Sequence, residues 1–473
     1  MPGRPNTNLA AVVLTRDVAE WLADLCMDAV PAPTVERASA SILDTLGVTL
    51  AGLDEPAAQI AASLAASDGA AQVASRLGTS FATSMESAAF VNGVAGHALD
   101  YDDVSYAVIG HPSVAVLPAA LAVGQATGAS GSSVLAAYIA GVEVMAKLAR
   151  AMGEQHYLAG WHTTATVGCI ASAATAARLL GLDVSRIQVA LAIAASSAAG
   201  LRGNFGTMTK PYHAGHAGRS GVNAARLAAA GFTADPRVFE GPTGFFAAYG
   251  ADPARTGLVG SGLGKPFELE SPGLGIKRYP CCYGTHRALD GMLSLIEQHG
   301  LGEPDVAHAT VSAPPGELAP LIHPRPTSGL EGKFSMPYVL AAALIDGTVG
   351  LATFSDEMVS REVIQTLLPR IDVHAFEPGE PEAAAGLAGG DGRVRVAVQT
   401  RAGNHVEAEV RYARGAPENP VAIHEVIDKF RDCAMGRLGR EQVNRTVECV
   451  LGLQTADSLS PLIDALTPNI RGT

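Results

Sequence analysis

Aromatic side chains are scarce in this chain: Phe, Trp and Tyr make up 5% of its 473 residues, and only two residues are Trp. A large core made without them has to come from Ala, Leu, Val and Ile, and closely packed, alanine-rich helices fit that composition. Charged residues are also few, 17% against 48% hydrophobic, which excludes a disordered chain and a coiled coil. Basic charge is the scarcer sign: 33 Lys and Arg face 46 Asp and Glu, a net charge of −13. Without a basic stripe, a nucleic-acid partner is excluded. Only six of the basic residues are lysines (Lys147, Lys210, Lys265, Lys277, Lys333 and Lys429), so a lysine set among His, Gly and Tyr is informative. The six cysteines are scattered with no C-x-x-C pair, which excludes a disulfide scaffold; free thiols in a reducing cytoplasm are expected. The first residues lack the apolar segment and cleavage site of a secretory signal. The uncharged stretch from Val104 to Val142 is broken by Pro112, Pro118, Gln125 and a Gly/Ser cluster at 128–133, so it reads as two buried helices, not a membrane span.

Several catalytic signatures are absent as well. No G-x-G-x-x-G opens a helix, and GSGLGKP at 260–266 has Val259 where a phosphate loop needs its first Gly, and Pro266 after the Lys. G-x-S-x-G, H-E-x-x-H and paired cysteine ligands are missing. These absences argue against an NTPase, a Rossmann oxidoreductase, a serine hydrolase and a zinc protease.

What is present is mostly helical periodicity. Apolar spacing predicts helices over 15–29, 34–51, 84–99, 113–127, 131–152, 163–180, 184–201 and 216–230. Those at 163–180 and 184–201 are apolar almost all round and belong inside a helical core. The pattern changes near residue 265. One helix (286–299) is followed by a strand at 307–312 and a hairpin from 393–399 to 405–410, with helices at 336–346 and 356–368 between them. Helices return at 421–436, 439–453 and 457–466. The expected fold is mainly α: a large all-helical domain (1–265 plus 415–473) with a smaller inserted α/β domain (266–414).

Four short clusters carry the chemistry. In the first, His97 leads into Asp100, Asp102 and Asp103, and His111-Pro112-Ser113 follows. Carboxylates this close repel one another. They read as an exposed acidic turn, as oxygen ligands for Mg²⁺, or as an Asp that orients a catalytic His. The second is Gly160-Trp161-His162, opening an apolar helix, where a His serves as cap, packing residue or acid/base group. The third, Lys210-Pro211-Tyr212-His213 to His216 and Arg219, reads as a cationic carboxylate pocket more readily than as a metal site, because a third ligand is not evident. The fourth, Lys277-Arg278-Tyr279-Pro280-Cys281-Cys282, is another anion site. Its adjacent cysteines read as packing residues, since neighbouring Cα atoms lie too close for an unstrained bridge.

Taken together, GHALDYDD and HPS, GWHTTATVG, TKPYHAGHAGRSG, KRYPCCYGTH and KFSMPYVLAAALIDG resemble the MmgE/PrpD family, in order and over nearly the whole chain. That family includes 2-methylcitrate dehydratase and cis-aconitate decarboxylase. The resemblance implies a large helical domain with an α/β lid, usually as a homodimer, and cofactor-free proton transfer beside a carboxylate with loss of water or CO₂. It makes Asp100, His111, His162, Lys210, Lys277 and Tyr338 the active-site set. Val104 stands where decarboxylase-type members carry Thr, Cys282 where they carry His, and the loop around His111 departs from the dehydratase branch.

The expected activity is that of a lyase on a small di- or tricarboxylic acid. His111, His162, Asp100 and Tyr338 are the catalytic candidates, with Asp100 fixing a His tautomer. Lys210, Lys277, His213 and Arg278 bind substrate, and no metal or cofactor takes part. Neither lysine is expected in the core. An epimerase using the same proton abstraction, and a non-catalytic carboxylate-binding protein, are the alternatives. The expected setting is a cytoplasmic homodimer with no membrane partner.

Overall fold

The computed structural model describes residues 14–377, 379–380 and 392–468. The stretch read for a signal, and the outermost residues of the expected helical domain, lie outside them. The longer helices of the first half are α1 (Leu14–Asp24), α2 (Ala32–Ala51), α3 (Pro56–Ser67), α4 (Met85–Ala98), α5 (Ser113–Thr127), α6 (Gly131–Leu158), α7 (Thr163–Leu179), α8 (Val184–Ser196) and α9 (Thr209–Ala229). Side-chain caps begin several of them: Ser84, Ser130 and Asp183 accept the N–H of Ser87, Ser133 and Arg186 at 3.2, 3.1 and 2.9 Å. Of the two helices expected inside the core, α7 is buried from Thr163 to Ala177, whereas α8 keeps an outer face with Ser185, Arg186 and Ser196 exposed; α5 is buried from Ser113 to Gly124. Helix α6 is long and apolar enough to cross a membrane, yet 83% of its apolar window is buried within the chain. It kinks at Gly153, whose φ of 67° suits glycine.

The α/β part holds α10 (His286–His299), α11 (Met336–Asp346) and a four-stranded sheet of β1 (Val306–Ala313), β2 (Ile371–Ala375), β3 (Val394–Thr400) and β4 (His405–Val410). The strand order is β2-β1-β3-β4, with β1 parallel to β2 and the other pairs antiparallel. The expected hairpin is present, with Gln399 opposite His405. Val394, Val396 and Val398 alternate inward into a core shared with Leu289, Met292 and Leu340. The chain then returns through α12 (Ile423–Ala434) and α13 (Arg440–Leu451). Val426, Phe430, Val443 and Val450 join the first core, not the second. The fold is thus mainly α, a large helical body carrying a smaller α/β part.

Several expected boundaries move. Helix α9 begins at Thr209, not at 216. Pro211 fits there, because a proline in a first turn removes an N–H that has no intrahelical partner anyway. Helix α8 stops at Ser196, where Ser197 turns its hydroxyl onto the Ile193 carbonyl at 3.3 Å. The helix expected at 356–368 divides at Arg361, whose backbone is extended. Helix α3 and strand β2 were not legible from periodicity.

One close crossing matters for the site. A Cβ on Gly93 of α4 would lie 2.9 Å from Gly215 Cα of α9, and one on Gly215 would lie 2.5 Å from the Phe90 carbonyl oxygen. Glycine at both positions lets the two backbones touch. That contact brings the C-terminal end of α4 beside the N-terminal turn of α9.

Candidate active site

Where α4 ends, Asp100 takes a left-handed conformation (φ 51°), which Asp adopts more readily than most residues. The turn reverses the chain, so Asp100 and Asp102 face back toward His97. Asp102 accepts from His97 Nδ1 at 2.8 Å, while His97 Nε2 lies 3.0 Å from the Lys210 ammonium. An ammonium only donates, so Nε2 is the acceptor and the His97 proton sits on Nδ1. His97 is neutral: burial pushes its pKa down to about 3, with the Asp102 carboxylate opposing and the Lys210 charge assisting.

Asp100 is gripped by two lysines, Lys277 Nζ at 2.6 Å and Lys210 Nζ at 3.1 Å from Oδ1. Burial alone would raise its pKa, but these two ammonium groups outweigh it and hold the carboxyl well below the usual range. Two more lysines close on the neighbouring backbone: Lys333 donates to the Leu99 carbonyl at 2.8 Å, and Lys429 to the Tyr101 carbonyl at 2.8 Å. All four lysines are buried, with Lys277 at 0% exposure and Lys210 at 4%. The expectation that Lys210 and Lys277 lie outside the core is therefore corrected; their charges are matched by Asp100, and the methylene stems pack inside.

His111 sits between the two acids. Its Nδ1 lies 3.2 Å from Asp102 Oδ2, and its Nε2 lies 3.6 Å from Asp100 Oδ1. The 3.2 Å contact is not an aligned hydrogen bond, so Asp102 acts on the ring through its charge. The orienting acid is thus Asp102, not Asp100, because Asp100 is occupied by lysines. Burial lowers the His111 pKa despite the Asp102 charge, so the ring is a neutral base near pH 7. His162 stands at the N-cap position of α7 with no capping bond from its side chain; its Nδ1 pairs with His213 Nδ1 at 3.0 Å, and its ring stacks on His97 with centroids 5.8 Å apart. Burial, reinforced by the Lys210 charge, puts its pKa well below the ordinary value. His216 turns elsewhere, 3.1 Å from the Ser197 carbonyl, so His213 and His216 do not converge on one point.

Asp100, His111, His162 and Lys210 line one cavity of about 90 Å³. Tyr157, Phe205, Cys282 and Phe334 complete part of its wall. Cys282 was read from sequence as a packing residue, and it faces the cavity. Arg287 and Glu317 also line it, paired at 3.0 Å between Nε and Oε1.

Four expected site residues do not line this cavity: Lys277, which stands behind Asp100, His213, which pairs with His162, and Tyr338 and Arg278. Tyr338 is fully buried in the core of the α/β part, where its hydroxyl donates to the Thr353 carbonyl. The sequence puts Tyr338 in the first turn of α11, and that turn faces inward. Arg278 is absent from the cavity wall, and its backbone carbonyl accepts from the Tyr101 hydroxyl at 3.3 Å. Sequence reasoning in turn left out His97 and Asp102 as working residues, along with Phe205, Arg287 and Phe334. The lysine scarcity that singled out Lys210 and Lys277 would also have found Lys333 and Lys429.

His97, Asp102 and His111 have donor atoms within 4.8 Å of one another, the spacing of a metal site. The set fits a cation poorly. The lone pair of His97 Nε2 already accepts from Lys210, and a divalent ion here would face the Lys210 and Lys277 ammonium groups.

A helical body and an α/β part together enclose one cavity lined by buried histidines, a lysine and carboxylates. The N-terminal domain model of the MmgE/PrpD family matches residues 16–256 and its C-terminal domain model residues 279–454, so the chain belongs to that family. The C-terminal model takes in α12 and α13, which pack on the helical core. Among similar proteins are the cis-aconitate decarboxylase of Homo sapiens, 28% identical over 91% of this chain and 90% of its own length, and that of Aspergillus terreus, 26% identical over 96% of each.

Proposed function

We propose that this protein is a lyase acting on a small di- or tricarboxylic acid, by proton transfer at the carbon beside a carboxylate and loss of water or CO₂. The observation that carries the reading is the convergence of two neutral histidines, His111 and His162, and the Lys210 ammonium on one small cavity. A proton next to a carboxylate is weakly acidic, and its removal builds charge on the carboxylate oxygens. His111, with Asp102 behind it, serves as the base. Lys210 meets the developing charge from a fixed position, and Lys277 keeps Asp100 ionised beside it. His162, on the same cavity, serves as the second acid/base group. The names of the relatives support decarboxylation or a related elimination.

No cofactor is needed in this scheme. Dialysis against a chelator should leave activity and melting temperature unchanged, and loss of activity restored by Zn²⁺ or Fe²⁺ would refute it. A homodimer assembled through the helical domain belongs to the same proposal, and a monomer mass by light scattering at micromolar concentration would count against it.

The main test is turnover of a panel of di- and tricarboxylic acids in D₂O, with recovered substrate and product read by mass spectrometry. Release of CO₂ with one deuterium taken up at the carbon that lost it, or release of water with deuterium exchanged into recovered substrate, is expected. Inversion and deuterium uptake with no elimination would instead indicate the epimerase, since two histidines on one cavity also suit exchange on opposite faces. Binding without either reaction would leave a carboxylate-binding protein.

A further inference from the structure

The cavity is two-sided in chemistry. On one side Lys210 Nζ and His111 Nε2 lie 3.1 and 3.6 Å from Asp100 Oδ1, with His162 on the same wall; Ser105, Tyr106, Tyr283, Arg287 and Glu317 are its other polar members. Another part of the wall is a separate apolar cluster of Tyr157, Phe205, Cys282 and Phe334, with Ile109 packed against it. This cluster belongs to neither domain core. Tyr157 and Phe205 come from the helical body and Cys282 and Phe334 from the α/β part, and all four line the cavity. Phe205 and Phe334 stand 5.5 Å apart, and each ring centroid is about as far from the Lys210 ammonium, at 5.5 and 5.4 Å.

The charge count points the same way. Lys210 and Arg287 are the lining residues with permanent positive charge, and Asp100 and Glu317 are the lining anions, so the wall is neutral overall. Arg287 is already spent: Nε donates to Glu317 at 3.0 Å, one terminal nitrogen to the same carboxylate, and the other to the Gly392 carbonyl and, at 3.1 Å, to that of Arg411. Lys277 stands behind Asp100, outside the wall. Two carboxylates already have to share the Lys210 ammonium, and a third would have no cation of its own and would be buried against aromatic rings, which is unfavourable.

Resting on the reading under Proposed function, we infer that the substrate is a dicarboxylic acid whose remaining arm is apolar, not a tricarboxylic acid. The two carboxylates flank the reacting carbon at the Lys210 end, and a short alkyl arm lies along Phe205, Phe334 and Ile109. Burial of that arm supplies binding energy that a carboxymethyl arm cannot.

Two unreactive probes separate the cases: tricarballylate and 2-isobutylsuccinate. They share the succinate unit and differ in one arm of the same shape, carboxymethyl against isobutyl. Calorimetric titration of the intact protein should find 2-isobutylsuccinate tighter by at least about tenfold. Equal or tighter binding of tricarballylate would overturn the inference and leave the proposed lyase standing. Binding of neither at about 10 mM would sink both together. In a second arm, Ile109→Lys places a cation on the apolar wall. With its fold checked by circular dichroism, this variant should shift the preference toward tricarballylate by about tenfold or more. An unchanged preference would mean that the third arm does not meet this wall, and the inference would fail.

Discussion

Lys277 closes on Asp100 twice: its ammonium lies 2.6 Å from Oδ1 and 2.9 Å from the backbone carbonyl of the same residue. Burial alone would lower the Lys277 pKa, but the charges of Asp100 and Asp102 outweigh it and raise it, so the pair is ionised. The left-handed turn at Asp100 is thereby fixed at both side chain and backbone. Lys277→Ala should therefore cost stability as well as activity. The variant leaves Asp100 with Lys210 alone and its buried backbone carbonyl without the Lys277 donor, so the loss should stay below the about 3–5 kcal/mol of a buried charge stripped of its only partner. Lys210→Ala leaves Asp100 paired with Lys277, so its effect should fall mainly on kcat/KM, by roughly ten- to a hundredfold. Urea unfolding of both variants beside their kinetics checks the contrast. Equal stability losses would contradict the division of labour.

The two histidines should differ from the lysines. His111→Ala and His162→Ala are each expected to lower kcat by roughly 10²–10⁴, as loss of an acid/base group does. Asp102→Asn keeps the shape but removes the charge that faces both His97 and His111. It should lower kcat in the same direction as His111→Ala, and the double variant should be little worse than either single one. Additive losses, measured as a double-mutant cycle, would show that Asp102 does not act through His111.

Tyr338→Phe offers the opposite expectation. The Tyr338 hydroxyl donates to the Thr353 carbonyl inside the α/β core and lies away from the cavity. Its loss should cost stability by about 1 kcal/mol, the net worth of a buried hydrogen bond. Activity per folded molecule should stay within about twofold of wild type. A large drop in kcat with unchanged stability would return Tyr338 to the catalytic set.

These contrasts also mark what periodicity and motifs could reveal. The helical body was legible because α5 and α7 are apolar on every face, and the hairpin because β3 alternates strictly. The end of α8 and the start of α9 were not, since Ser197 and Pro211 act through local hydrogen bonding that spacing does not encode. At the site, Lys210, Lys277, His111 and His162 stood out by rarity and by neighbours. Asp102 could not be told from Asp100 in a run of acids, because the difference is the left-handed turn between them. Phe205, Arg287 and Phe334 carry no local signal at all, and only the meeting of the two parts of the chain makes them a wall.

Asp103, next to the site, gives a pH test. It is buried against the start of α5, where Ser113 N–H donates to it at 3.2 Å and the Ser113 hydroxyl bonds it too. Burial pushes its pKa up to about 8, so the folded protein holds a neutral carboxyl where the unfolded chain, near 3.8, holds an anion. A raised folded-state pKa stabilises fully below the unfolded value, and that contribution is lost as pH rises toward about 8. Buried histidines act in the other direction: burial holds His97 at about 3 and His213 at about 4, so stability falls as pH drops below the ordinary 6.5. Asp103→Asn mimics the neutral acid and leaves the histidines in place. The variant's stability relative to wild type should therefore rise between about pH 5 and pH 8, by roughly 1 kcal/mol or more, while the acid-side loss stays common to both. Melting temperatures across that range decide it: curves that run parallel would mean that Asp103 ionises alike in the folded and unfolded chains, and that it is not the neutral anchor between the acid run and α5.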